Sequence, residues 1–181
     1  FNALRDSPTS KITTWDLSNE RLGPEIAKPL AEYISVSASL TKLLVSRNYL
    51  FDGGTTILCD ALRESTVSKV QELDLGENLI GPDGAKAIAA LCAVCGSLTE
   101  CDLRNNSLGV EGWTIIFNAL RDSPTSKITT WDLSNERLGP EIAKPLAEYI
   151  SVSASRLTRL DVSHNILDRG GNGVQLLRDA V

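Results

Sequence analysis

The chain is poor in the residues that do covalent chemistry. It has one histidine, His164, no methionine, and only three each of Trp, Tyr and Phe among 181 residues. With no Ser or Cys in register beside that histidine, a nucleophile–base pair has nothing to stand on. Cysteine is scarce too, at Cys59, Cys92, Cys95 and Cys101. Cys92-x-x-Cys95 has no second pair to complete a zinc site, and its expected place in the body of a helix gives no help to a thiolate. No Gly-rich phosphate loop of Walker spelling appears. No catalytic residue, metal or cofactor is therefore expected.

Long apolar runs and excess positive charge are also missing. No stretch of eighteen apolar residues and no apolar signal region is present, which excludes a membrane-spanning helix from the expectation. A formal net charge of -5, without a basic run to offset it, argues against a general affinity for nucleic acid phosphates. Cys59, Cys92 and Cys101 fall where apolar residues stand elsewhere, so free buried thiols and a reducing, cytoplasmic setting are expected. The spelling Asn105-Asn106-Ser107 is then no glycosylation site.

What the chain does have is a repeat. In Val70-Gln-Glu-Leu73-Asp-Leu75-Gly-Glu-Asn78-Leu-Ile80 the alternation of Leu73 and Leu75 with Asp74 predicts a strand with one apolar face. Asn78 stands where the chain turns, able to bond backbone groups left unpaired there. Gly81-Pro82 then opens a segment of helical period, with Pro at the first helical position. The same register begins at Ile12, Leu40, Val70, Leu98, Ile128 and Leu157, at spacings of 28, 30, 28, 30 and 29 residues. The fourth and sixth positions of every unit are apolar or Cys. The ninth reads Glu20, Asn48, Asn78, Asn106, Glu136 and Asn165.

This pattern, L-x-x-L-x-L-x-x-N-x-L followed by a helix, resembles the ribonuclease-inhibitor-like leucine-rich repeats, including the repeat arms of NOD-like receptors. The resemblance implies an α/β solenoid, a right-handed horseshoe with a parallel sheet on the concave face and helices on the convex face. Glu20 and Glu136 depart from the family's Asn and put the turn bonds of those two units in doubt.

One domain is expected over residues 1–181, with repeats at 12–39, 40–69, 70–97, 98–127, 128–156 and 157–181, preceded by residues 1–11 as the tail of a truncated repeat. Helices are expected at about Glu25–Ser35, Gly53–Glu64, Asp83–Val94, Glu111–Asp122, Glu141–Ser151 and Gly173–Ala180. Pro29 and Pro145 should delay or kink two of them. Phe1–Ser39 is repeated without a change as Phe117–Ser155, and identity then gives way abruptly to ordinary divergence. A recent duplication and a laboratory splice of repeat blocks both account for that. The start inside a helix suggests a fragment of a longer array, and terminal units without polar caps suggest end-to-end self-association.

The strand positions facing away from the core carry the candidate binding residues. The fifth position reads Asp16, Leu44, Asp74, Asp102, Asp132 and Asp161, and the third supplies Lys42, Glu72, Glu100 and Arg159. Glu77 and Arg104 follow the central strands. Carboxylates stacked at a strand spacing of about 4.8 Å repel one another and favour a nearby cation, which predicts a concave surface for a basic or mixed-charge protein partner. The competing reading is that these aspartates are simply solvated. Two other functions are consistent with the resemblance: regulation of a small GTPase in the manner of Ran GTPase-activating proteins, and an assembled scaffold without a natural partner. Trp15 and Trp131 occupy inward strand slots and read as core, and Trp113 as a contact between helices.

Overall fold

The structure, a computed structural model, describes residues 11–153, 156–169 and 171–180. The expected helix tail before the first strand lies, apart from Lys11, outside the described residues. Six strands form one parallel sheet in chain order: β1 Thr14–Asp16, β2 Lys42–Leu44, β3 Glu72–Asp74, β4 Glu100–Asp102, β5 Thr130–Asp132 and β6 Arg159–Asp161. Each covers the third to fifth positions of its repeat. Register is kept across the sheet, with Thr14 opposite Lys42, Lys42 opposite Glu72, Glu72 opposite Glu100, Glu100 opposite Thr130 and Thr130 opposite Arg159. The fold is thus the α/β leucine-rich repeat solenoid that the repeat pattern predicts.

Between strands run the helices α1 Ala27–Ile34, α2 Phe51–Glu64, α3 Pro82–Val94, α4 Gly109–Arg121, α5 Ala143–Ser153 and α6 Gly173–Asp179. The prolines act as expected at the start of α1 and α5. A 3-10 turn, Pro24–Ile26 or Pro140–Ile142, comes first, and the α-helix begins only at Ala27 or Ala143. Pro29 and Pro145 are then third in their helices, where an N–H would have no intrahelical acceptor in any case. Neighbouring helices approach closely where a small residue opens the second half of the turn. A Cβ on Gly84 would lie 2.5 Å from Ile80 Cγ2 and 2.7 Å from Asp52 Oδ1.

Leu43, Leu73 and Leu75 are fully buried, as are Leu30, Leu58, Ile88, Ile116 and Leu146 from the helices. One continuous core therefore runs the length of the stack. All four cysteines are free, and Cys59, Cys92 and Cys101 are buried. Burial pushes the Cys59 thiol well above its ordinary value, and a hydrogen bond with Cys92 together with burial does the same for Cys101. The Cys-x-x-Cys pair is not in mid-helix: Cys92 is in the last turn of α3 and Cys95 is the residue after its end.

A ladder of asparagines seals the edge where strands turn into helices. Asn78 Nδ2 donates to the carbonyls of Val45, Leu75 and Gly76 at 3.0, 3.1 and 3.1 Å, joining its own repeat to the one before. Asn48, Asn106 and Asn165 repeat the arrangement on Leu17, Leu75 and Leu133. Their amide oxygens accept the eleventh-position N–H of the preceding unit, as in Leu22 to Asn48 at 2.9 Å and Ile80 to Asn106 at 3.0 Å. Buried backbone groups at the turn are thereby paired. The eighth residue of every repeat adopts positive φ, from Glu77 at 53° to Asn19 and Asn135 at 61°.

Candidate functional site

The concave surface is built by the outward positions of six strands, and its register is the one the repeat pattern predicts. Asp16, Leu44, Asp74 and Asp102 stand side by side across β1 to β4, and Asp132 pairs with Asp161 across β5 and β6. Beside this row run Lys42, Glu72, Glu100 and Arg159. Leu44 interrupts the carboxylates.

The aspartates have a local task that the sequence reading did not assign. In each, Oδ1 accepts the N–H two residues on: Ser18 at 2.9 Å from Asp16, Gly76 at 2.9 Å from Asp74, and Arg104, Ser134 and Ser163 at 3.0 Å from Asp102, Asp132 and Asp161. This turn fixes the exit of the strand. The recurring Asp-x-Ser/Gly/Arg spacing was the available signal. Bonds from the Ser18 N–H and hydroxyl hold Asp16 below the usual carboxylate range, and Ser163 does the same for Asp161.

Cations then occupy most of the second oxygens. Arg104 binds Asp102 with Nε 3.0 Å from both oxygens and Nη2 2.5 Å from Oδ2, and reaches Asp132 at 3.6 Å. Those carboxylates push its pKa further up, the Asp102 hydrogen bonds contributing most. Lys42 pairs with Glu72, and that bond raises the ammonium pKa with help from Glu100. Arg159 lies 3.8 Å from Asp161 and Arg47 lies 3.0 Å from Glu77. Among the described residues, Asp16, Asp74 and Glu100 have no cation within ion-pair distance. The surface is therefore mixed in charge, with free carboxylates at three points and not along its whole length.

The depression lined by Glu100, Asp102, Arg104, Thr130, Trp131, Asp132 and Arg159 holds about 160 Å³, below the roughly 300 Å³ at which small-molecule sites begin. Larger, open troughs of 350 and 590 Å³ lie where strands turn into helices in repeats 1 to 4. Arg47 and Glu77, at the eighth position, line both, and Tyr49 and Leu79, at the tenth, line the larger. Apart from Glu77 they were not read as functional, because exposure on a turn leaves no period in the sequence.

Glu136 stands at an asparagine rung. Its Oε1 accepts the Asn105 N–H at 2.9 Å instead of bonding the eleventh-position N–H of the preceding unit. Burial raises its pKa, opposed by that hydrogen bond and by the neighbouring Trp113 indole. The Trp113 N–H is buried without a well-formed bond of its own. Trp113 and Trp131 are fully packed, edge to face with centroids 5.6 Å apart, and Trp131 donates to Tyr149 Oη at 3.2 Å. These tryptophans are core.

Known proteins carry the same repeat. A Leucine Rich repeat family model matches residues 68–89. The chain is 30% identical over 94% of its length to NACHT, LRR and PYD domains-containing protein 12 of Mus musculus, and 32% identical over 98% to protein 2 of the same series in Homo sapiens. It is 28% identical over 91% of its length to Ribonuclease inhibitor of Sus scrofa. It spans 16% of each of the first two relatives and 36% of the third. Among solved structures, Leiomodin-1 Actin-Binding Site 2 superposes with a TM-score of 0.61 at 16% identity, covering 85% of this chain and 89% of that one, a likeness of fold.

Proposed function

Because this chain is a leucine-rich repeat array of the ribonuclease-inhibitor-like class, a kind of module that binds proteins, we propose that it recognises a protein partner of basic or mixed charge through its concave face. The observation that carries this is the row of side chains held in register across β1 to β6, with Asp74 and Glu100 left without a cation at its centre. A partner lysine or arginine would complete pairs of the kind that Arg104 already makes with Asp102 and Asp132. The four free thiols support a reducing, cytoplasmic setting for that encounter. The reading is one of binding and not of catalysis, since the carboxylates stand in a row on the face of a sheet and the depression beside them holds only about 160 Å³.

The test is affinity capture with the chain, compared with a Glu72→Gln, Asp74→Asn, Glu100→Gln variant. Proteins held by the concave face should be lost from the variant, and their binding to the parent chain should fall steeply with salt. Equal capture by both would refute the concave site.

A further inference from the structure

At the strand-to-helix edge, apolar side chains are held outward by a backbone that disfavours them. Phe51 has φ 51° and Leu79 has φ 59°, the left-handed region where a side chain is strained. They are 44% and 49% exposed. The residue of repeat 4 that matches Phe51 is Gly109, with φ 58°, so the same turn is made there without strain. Phe51 instead stacks on Tyr49, itself 48% exposed, with ring centroids 6.4 Å apart. Burial accounts for none of the three.

Tyr49 and Leu79 line the 590 Å³ trough together with Arg47, Glu77 and Asn105. Arg47, Glu77 and Asn105 also line the 350 Å³ trough, whose inner end holds Asp74. The two are one path, from a carboxylate without a cation on the concave face to an apolar rim. We propose that this path seats an extended segment of a partner protein that carries a lysine or arginine close to a bulky apolar residue, the cation at Asp74 and the apolar group between Tyr49 and Leu79. The proposal rests on the concave-face reading and narrows it to a class of partner sequence. Charge complementarity sets the orientation: Arg47 and Arg104, the cations that line the 350 Å³ trough, are engaged by Glu77 and by Asp102 and Asp132, which leaves Asp74 to take the partner's cation.

The experiment uses the whole chain and peptides of about twelve residues selected on it from a random display library. Recovered peptides should pair Lys or Arg with a bulky apolar residue. Asp74→Asn, which keeps the acceptor for Gly76, and Phe51→Gly or Leu79→Asn, which suit positive φ, should each weaken them by about tenfold or more. The rim variants should do so without lowering the melting temperature. Peptides that lack the pairing, or no enrichment over bare support, would overturn the proposal. Peptides sensitive to Asp74→Asn but indifferent to Phe51→Gly and Leu79→Asn would overturn it while leaving the concave face standing. Sensitivity at the rim alone would overturn both, and a melting temperature that fell in step with affinity would make the rim residues structural.

Discussion

Trp15 and Trp131 hold the same place in two segments of identical sequence, and their surroundings differ. Trp131 is 1% exposed, boxed by Trp113 and Phe117 of α4 and bonded to Tyr149. Trp15 is half-buried and meets Tyr33 edge-on at 4.6 Å. The difference extends through the unit: Ile12, Leu17 and Leu22 are only partly buried where Ile128, Leu133 and Leu138 are closed off. Glu20 is exposed where Glu136 is not. Repeat 5 has a described helix and strand packed on its preceding side, and repeat 1 has none among the described residues. In a solenoid the neighbour, more than the repeat itself, sets the energetics of a residue.

Paired substitutions test that statement, and the largest effect should come from the tryptophans. Trp131→Ala removes a packed ring and is expected to cost about 3–5 kcal/mol, against no more than about half of that for Trp15→Ala, read as denaturant midpoints on the full chain. Equal losses would mean that the two repeats share an environment. Next come the rungs at the turn. Asn78→Ala orphans carbonyls in two repeats and should cost about 2 kcal/mol, whereas Glu136→Asn restores a rung and should gain about 1 kcal/mol. Glu20→Asn, at an exposed residue, should change little by the same measurement.

A smaller effect at Glu136 is read by pH. The folded state raises the pKa of Glu136, so between the ordinary glutamate value and that raised value the folded chain binds more protons than the unfolded one. Stability attributable to this group is therefore greatest in acid and falls as pH rises through the window. Glu136→Gln should remove that slope from a series of melting curves. Smallest of all, Lys42→Ala breaks an exposed pair with Glu72 and should leave the melting temperature nearly unchanged.

The repeat was legible in the residues because burial imposes a period. Two inward residues, apolar or Cys, flanking an outward one define each strand, and Pro82 marks where helical backbone begins, so the sheet order and most helix ends followed. The late start of α1 and α5 followed from Pro29 and Pro145. The site was legible as a register and not as a chemistry. That Asp16, Asp74, Asp102, Asp132 and Asp161 each fasten their own turn is a contact of two residues' range, hidden behind their apparent role as surface charge. That Arg104 neutralises both Asp102 and Asp132 depends on strands thirty residues apart lying side by side.

By itself, then, the sequence determined the unit, its register, and which side chains face away from the core, since these depend on alternation and on turn residues within one repeat. Only the tertiary structure decided how exposed and how charged each copy is. Those quantities come from the adjoining repeat, which is why one string of residues gives a sealed Trp131 in one place and a half-open Trp15 in another.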